Sequence, residues 1–320
     1  MSKFKVLIAD NRYPHYKQEE AVLAQINAEI IYERSSDEAR LAAVVEDIDG
    51  LIVNLAPITA KVINAMKKCK CVSRYGVGYD NVDTEALKKK GIILANVPDY
   101  CIEDVSDHAF ALFMDCVRKI SRKDRNVRQG KWNLTGIQPV YRIRGKTFGF
   151  VGFGAIARRF YEKLKGFDLG RVLVYDPYLP PDTIRSAGCE PSDLDTLCKE
   201  ADFISLHAPV TPSSRGMFNA SKFALMKKTA ILINTARGGL IDEPSLINAL
   251  KTGQIACAGL DVYATEPLPE DSELRKLENV TLTDHAAWYS EESIVELKTK
   301  AAINIVEALT GKKVKYQVKL

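Results

Sequence analysis

Short apolar runs alternate with helical patterns along almost the entire chain. In the first third, the runs are rich in Val, Ile and Leu and have the length of buried strands, and the stretches between them have helical spacing. The runs are KVLIAD, EIIYER, GLIVNLA, CVSRYG and IILANVP. Strands that alternate with helices predict βαβ units, and therefore a parallel sheet covered by helices on both faces.

A second block of the same kind follows a long helical pattern. We predict one continuous helix from about Asp104 to Gly130, and after it the strands TFGFVG, RVLVYD, DFISLHA, AILINTA, CAGLDVY and VTLTDH. Residues 290–311 predict a last amphipathic helix, which could fold back on the first block. The expected fold class is α/β.

Composition narrows the class of protein. A chain of 320 residues is long enough for two domains, and its longest apolar runs are too short to span a membrane. The N-terminus lacks the apolar segment and small residues of a signal peptide. Seven cysteines without a C-x-x-C pair predict free thiols in a reducing compartment, so we expect a cytoplasmic protein without a metal site.

Charge adds one local feature to a modest net charge of +4. The stretch RKISRKDRNVRQGKW, residues 118–132, carries seven basic residues and one acid. A nucleic-acid patch is one interpretation. We favour the solvated face of a helix, because no nucleic-acid-binding motif accompanies the charges. No nucleic-acid partner and no membrane partner are therefore expected.

The stretch VGFGAIARRF, residues 151–160, has the form of a dinucleotide-binding turn. Its G-x-G-x-x-G/A positions follow an apolar strand and lead into a helical pattern, which is the context that the motif requires. The first glycine permits the tight turn, the second lets the backbone approach a pyrophosphate, and the helix N-terminus faces the phosphates. The predicted cofactor contacts in this turn are Gly152, Gly154, Ala155 and Ile156.

Asp176 ends the next strand, 24 positions after Gly152. An acidic residue at this distance accepts hydrogen bonds from an adenosine ribose, and its charge repels a 2′-phosphate. The predicted cofactor is therefore NAD rather than NADP.

Ionisable residues repeatedly end the later strands, where ligands of an open parallel sheet bind. They are His207, Arg237, Asp261 and His285. Reduction of a carbonyl by hydride transfer needs a proton donor, for which histidine is suited, and an arginine to grip an anionic substrate. His285 is favoured over His207 because Glu266 lies on the loop that leads to its strand, but the residues alone leave both histidines open.

Five motifs carry a resemblance over essentially the full length of the chain. They are GVGYDNVD (76–83), VGFGAIAR (151–158), INTARGGLIDEPSL (233–246), AGLDVYATEPLP (258–269) and TDHAAWYSEES (283–293). In their order and spacing the chain resembles the D-isomer-specific 2-hydroxyacid dehydrogenases. The resemblance implies two Rossmann-like doubly wound domains with a cleft between them: a flavodoxin-like substrate domain, 1–99 plus 290–320, and a NAD-binding domain, 100–289. It also implies a homodimer through the NAD-binding domain.

The resemblance implies a role for each site residue. His285 would be the general acid/base, Glu266 its partner, and Arg237 the group that binds the substrate carboxylate and polarises its carbonyl. Further cofactor contacts would come from His207, Pro209, Thr235, Ala236 and Asp261. Further substrate contacts would come from Asn54, from the loop Gly76, Val77 and Gly78, and from Trp288, which could instead pack at the domain hinge.

The implied function is the NAD-dependent interconversion of a small 2-keto acid and a D-2-hydroxy acid. HAAWYSE is similar to the branch that includes the C-terminal binding protein co-repressors, and VPDYC with DHA resembles bacterial enzymes of that branch, often called phosphoglycerate dehydrogenases. The alternatives are a dinucleotide-sensing, co-repressor-like binding protein, a glyoxylate or hydroxypyruvate reductase, and a phosphoglycerate dehydrogenase without an added regulatory domain. Which acid is used, and in which direction, is left open.

Overall fold

The computed structural model describes residues 4–9, 12–132 and 139–320. Its strands are β1 (Phe4–Ala9), β2 (Ala28–Glu33), β3 (Gly50–Val53), β4 (Cys71–Arg74), β5 (Ile93–Ala95), β6 (Thr147–Val151), β7 (Arg171–Tyr175), β8 (Glu190–Pro191), β9 (Phe203–Leu206), β10 (Ile231–Asn234), β11 (Cys257–Leu260) and β12 (Val280–Leu282). Its α-helices are α1 (Lys17–Leu23), α2 (Glu38–Val44), α3 (Ala60–Ala65), α4 (Thr84–Lys90), α5 (Ile102–Arg118), α6 (Ile120–Arg128), α7 (Ala155–Leu164), α8 (Pro181–Ser186), α9 (Leu194–Glu200), α10 (Ala220–Leu225), α11 (Glu243–Lys251) and α12 (Glu291–Leu309). Short 3₁₀ turns lie at Ala24–Ile26, Lys165–Phe167, Gly238–Leu240 and Glu273–Lys276.

The chain divides into two compact units. One comprises Met1–Cys101 and Ser290–Leu320, and the other comprises Ile102–Tyr289. The C-terminal helix α12 packs against α1, β3 and β4. The first unit is therefore built from both ends of the chain.

The first unit is built on a five-stranded sheet in the order β2-β1-β3-β4-β5. Every neighbouring pair is parallel. This is the flavodoxin-like order, in which the chain reverses direction across the sheet between β1 and β3. All four residues of β3 are buried, as expected for a central strand covered on both faces.

The second unit is built on a seven-stranded sheet in the order β12-β11-β10-β9-β6-β7-β8, again with parallel neighbours. Counted from β6, this is the Rossmann order, and its topological switch point lies between β6 and β9. The prediction of an α/β protein with two doubly wound sheets is therefore confirmed.

The predicted continuous helix from about Asp104 is wrong, because α5 ends at Arg118 and α6 begins at Ile120. Lys119 between them has a left-handed φ of 56°. The carboxylate of Asp115 accepts a hydrogen bond from the backbone N–H of Ser121 at 2.7 Å and so caps the second helix. The break was not predicted because neither Gly nor Pro marks it.

Among the residues that the structure describes, no helix is long and apolar enough to cross a bilayer. Nor does that part of the chain bring together three or more His, Cys, Asp or Glu side chains as a metal site would require.

Candidate active site

The glycine turn after β6 has the geometry that a dinucleotide requires. Gly152 has a φ of 83°, and a Cβ atom there would lie 2.8 Å from the backbone nitrogen of Ala208. Gly154 precedes α7, and a Cβ atom on it would meet nothing within 4 Å. No side chain caps α7, so the N–H groups of its first turn, at Ala155 and Ile156, are the donors that a phosphate could bind.

Asp176 follows β7 directly, and its side chain forms a hydrogen bond with the backbone of the glycine turn. One carboxylate oxygen accepts the backbone N–H of Phe153 at 2.9 Å, and the other accepts that of Tyr178 at 2.9 Å. The sequence placed this carboxylate near the ribose of a bound dinucleotide, and in the structure it lies beside the turn that would carry the pyrophosphate.

Four polar residues of the second sheet occupy the first position after a strand. His207 follows β9, Thr235 follows β10, Asp261 follows β11 and Thr283 follows β12. Because the strands are parallel, these positions lie along the same edge of the sheet, next to the glycine turn after β6. The structure thus gathers the predicted cofactor and catalytic residues of this unit along one edge.

His285 and Glu266 form a close pair. His285 Nδ1 lies 2.6 Å from Glu266 Oε2, and the two side chains are 40% and 35% exposed. Burial raises the pKa of Glu266, but hydrogen bonds from His285 and from the N–H of Tyr263, together with the charge of Arg237, give a net lowering. Glu266 is therefore a carboxylate at neutral pH and can only accept a hydrogen bond, which Nδ1–H of His285 donates. The Nε2 atom of His285 takes no part in this pair.

The loop that carries His285 is held by Asp261. His285 has a left-handed φ of 56°, and its N–H donates to the carbonyl of Asp261 at 2.9 Å. The buried carboxylate of Asp261 accepts the N–H groups of Ala286 and Ala287, each at 3.0 Å. Trp288 donates its indole N–H to the backbone carbonyl of His285 at 2.9 Å, which adds a side-chain contact to the same loop.

Arg237 lies on a turn after β10 that a buried amide shapes. Asn234 accepts the N–H of Ala236 at 3.0 Å and donates to the carbonyl of Arg237 at 2.9 Å. The hydroxyl of Thr235 is buried and has no hydrogen-bond partner among the residues described, so a bound cofactor could supply one. The sequence analysis missed Asn234, although a polar residue closing the apolar run ILIN could have indicated its role.

His207 lies in a different environment from His285. Its ring packs against Phe150 and Phe160, with centroids 5.8 and 6.0 Å away, and its Nε2 lies 2.8 Å from the hydroxyl of Ser205. Burial lowers the pKa of His207 to about 3. A histidine that is neutral at physiological pH cannot supply the proton for keto-acid reduction, so the geometry favours His285 as the acid. Pro209, two residues on, is exposed.

The predicted substrate residues of the first unit lie at the ends of its central strands. Asn54 follows β3 and is buried, and its side-chain nitrogen has no hydrogen-bond partner within the described part of the chain. Two hydrogen bonds from the segment after β5 hold the loop after β4. The backbone N–H of Val97 donates to the carbonyl of Gly76 at 3.0 Å, and the side-chain amide of Asn96 donates to the carbonyl of Val77 at 2.8 Å. The roles predicted for Gly76, Val77 and Gly78 stay predictions.

A glycine turn with an aspartate beside it and a histidine–carboxylate pair at the same sheet edge are typical of a dinucleotide-dependent oxidoreductase. Residues 110–287 match the family model "D-isomer specific 2-hydroxyacid dehydrogenase, NAD binding domain". The chain therefore belongs to the D-isomer-specific 2-hydroxyacid dehydrogenases, as the sequence motifs predicted.

Named relatives and a solved structure agree with this family. The chain is 41% identical to a glyoxylate reductase of Korarchaeum cryptofilum over 83% of its own length and 81% of the relative's. It is 36% identical to a D-3-phosphoglycerate dehydrogenase of Methanocaldococcus jannaschii over 96% of its own length, but spans only 58% of that enzyme. The holo D-mandelate dehydrogenase of Rhodotorula graminis superposes with a TM-score of 0.90 at 26% identity, covering 100% of this chain and 99% of that one.

The protein is thus an NAD-dependent oxidoreductase that interconverts 2-keto acids and D-2-hydroxy acids. The predicted class and activity are confirmed, a nicotinamide dinucleotide is confirmed as the cofactor, and the co-repressor-like alternative gives way to an enzyme.

Proposed function

We propose that the enzyme reduces a short 2-keto acid, of the glyoxylate and hydroxypyruvate class, at a site formed by Arg237, Glu266 and His285. The observation that carries the proposal is the 2.6 Å contact between His285 Nδ1 and the ionised Glu266. It fixes the ring so that Nε2 is the atom available for proton transfer.

Each of the three residues has its own role in the proposed reaction. NADH supplies the hydride that the carbonyl carbon accepts. His285 donates a proton from Nε2 to the carbonyl oxygen, and Glu266 stabilises the positive charge that the ring carries before the transfer. Arg237 grips the substrate carboxylate and polarises the carbonyl.

Each unit contributes groups of its own to this proposal. In the second unit, the turn at Gly152 and Gly154 would hold the pyrophosphate and Asp176 the ribose. The remaining cofactor contacts proposed there are Ala155, Ile156, His207, Pro209, Thr235, Ala236 and Asp261. For the first unit, the substrate contacts that the family resemblance implies are Gly76, Val77, Gly78 and Asn54, whose side-chain nitrogen has no hydrogen-bond partner among the described residues.

Two facts support a short substrate. The indole of Trp288 donates to the backbone carbonyl of His285 at 2.9 Å, and a ring held at this position would limit the space for a substrate side chain. The glyoxylate reductase relative is matched over four-fifths of both chains, whereas the phosphoglycerate dehydrogenase is matched over 58% of its length.

A panel of 2-keto acids tests the substrate class. Glyoxylate, hydroxypyruvate, 3-phosphohydroxypyruvate and phenylglyoxylate would be offered with NADH, and the fall in nicotinamide absorbance followed. We expect the highest kcat/KM with glyoxylate or hydroxypyruvate. A higher value with the phosphorylated or the aromatic acid would overturn the substrate assignment while leaving the reaction type in place.

We also propose that two copies associate through the second unit. Large apolar side chains are exposed along α6 and the segment after it, which is typical of an interface: they are Ile120, Val127, Trp132, Val140 and Tyr141. The family resemblance, which implies a homodimer through this unit, supports the proposal.

Sedimentation velocity tests the dimer. We expect twice the chain mass of 35.6 kDa for the parent and a single chain mass for the double variant Ile120→Asp/Val127→Asp. The matched control is Val295→Asp, an exposed valine of α12 in the first unit, which should remain dimeric. A parent that sediments as a single chain would refute the proposal.

A cytoplasmic location belongs to the same set of proposals. All seven cysteines are free thiols, which is typical of a reducing compartment.

A further inference from the structure

Asp261 is a buried charge at the centre of the loop that carries His285. Its side chain is 1% exposed, and its carboxylate accepts hydrogen bonds from two backbone N–H groups and from the hydroxyl of Thr283 at 2.7 Å. A buried carboxylate needs such donors to offset its lost hydration. The geometry of the loop therefore depends on how well Asp261 is satisfied.

His108 reaches this cluster from a different element. It lies on α5, and its Nε2 is 2.9 Å from the Thr283 hydroxyl oxygen and 3.4 Å from Asp261 Oδ1. The helix packs closely on β11 because Gly259 has no side chain; a Cβ atom there would lie 3.1 Å from Leu112. This close approach brings His108 within reach of Asp261.

The donors and acceptors around Thr283 determine which ring nitrogen of His108 carries a hydrogen. Thr283 has a single hydroxyl hydrogen, and its 2.7 Å contact with Asp261 Oδ1 uses it, because an ionised carboxylate can only accept. The Thr283 oxygen must then accept from His108, so Nε2 bears a hydrogen. His108 thus donates into the Asp261 cluster and orients the Thr283 hydroxyl.

We propose that His108 is a positioning residue for the reaction: by donating to Thr283 it holds the Asp261 carboxylate, and through it the His285 loop, in the geometry for proton transfer. This inference rests on the proposed role of His285. His108 touches neither substrate nor cofactor in this assignment. It acts through Thr283 and Asp261.

The test is a double-mutant cycle. We would measure kcat, KM for NADH, KM for glyoxylate and Tm for His108→Ala, His108→Gln, Thr283→Val and the double variant His108→Ala/Thr283→Val. Because one hydrogen bond to a charged cluster is at stake, we expect His108→Ala to lower kcat roughly 10- to 100-fold with little change in KM for NADH. His108→Gln keeps an N–H donor and should recover most of that loss.

The energetic coupling between the His108 and Thr283 variants distinguishes a positioning role of His108 from a general loss of structure. If His108 acts through Thr283, the double variant should be little worse than the worse of the two single variants. The matched control is His15→Ala, an exposed histidine of the first unit, which should leave kcat unchanged. A kcat for His108→Ala within twofold of the parent, losses that multiply in the double variant, or no recovery in His108→Gln would each overturn the inference.

The same measurement on His285→Ala distinguishes a failure of the proposed function from a failure of the positioning role of His108. If His285→Ala is inactive while His108→Ala is normal, the proposed function stands and only the positioning role of His108 fails. If His285→Ala keeps its turnover, the proposed function fails and the role of His108 fails with it.

Discussion

His285→Ala is expected to lower kcat for keto-acid reduction by roughly 10²–10⁴-fold, the usual loss for a general acid, while the affinity for NADH stays close to that of the parent. The reason lies in the geometry of the pair. Glu266 accepts from Nδ1 at 2.6 Å, so the other ring nitrogen is the proton donor. The measurement is kcat by nicotinamide absorbance, with NADH affinity from a fluorescence titration.

His207→Ala is the matched comparison, because it removes a second histidine at the same sheet edge. Burial lowers the pKa of His207 to about 3, so its ring is neutral at the pH of the assay and has no proton to give. Its backbone adjoins the glycine turn, where a Cβ atom on Gly152 would come within 2.8 Å of it. We therefore expect this variant to weaken NADH binding and stability more than turnover. Near-normal turnover in His285→Ala together with its loss in His207→Ala would show that the wrong histidine was assigned.

The strand ends show why the sequence predicted which edge of the sheet carries the site but not the exact residue at which each strand stops. The apolar run GLIVNLA predicts a strand to residue 56, whereas β3 ends at Val53, and the run VTLTDH predicts one to residue 285, whereas β12 ends at Leu282. Beyond the ladder the first run mixes polar and apolar side chains and the second has only polar ones, and neither pattern marks where the ladder hydrogen bonds stop. The polar residue that ends each strand was visible in the sequence, but its exact distance from the ladder was not.

Contacts between distant positions were the part that the sequence could not show. His108 and Thr283 are separated by 175 positions, and no local pattern links them. In the sequence, His108 is one polar residue in a helix, and only the packing of α5 on β11 gives it a partner. The position of Glu266 on the loop that leads to the strand of His285 indicated their pairing, and the resemblance of the motifs around both residues to a known family gave each its role.

Because of Asp176, we expect the enzyme to prefer NADH to NADPH strongly. Its carboxylate lies beside the glycine turn, with its oxygens held by the N–H groups of Phe153 and Tyr178 at 2.9 Å each. A 2′-phosphate brought to this position would face a fixed negative charge, and like charges juxtaposed at an interface cost several kcal/mol. We therefore expect kcat/KM with NADH to exceed that with NADPH by roughly 10²–10³-fold, at about 1.4 kcal/mol for each factor of ten.

Asp176→Asn tests the origin of this preference, because the amide removes the charge and keeps one oxygen to accept an N–H from the turn. The preference should shrink at least about tenfold, chiefly through a higher kcat/KM with NADPH, since removal of the repulsion affects only the phosphorylated cofactor. The control is Asp182→Asn, an exposed aspartate paired with Arg185 on α8, which should leave the ratio unchanged. Equal efficiency with the two cofactors in the parent would contradict the role of Asp176. An Asp176→Asn enzyme that loses NADH activity without gaining any with NADPH would instead show that the carboxylate holds the turn and does not select the cofactor.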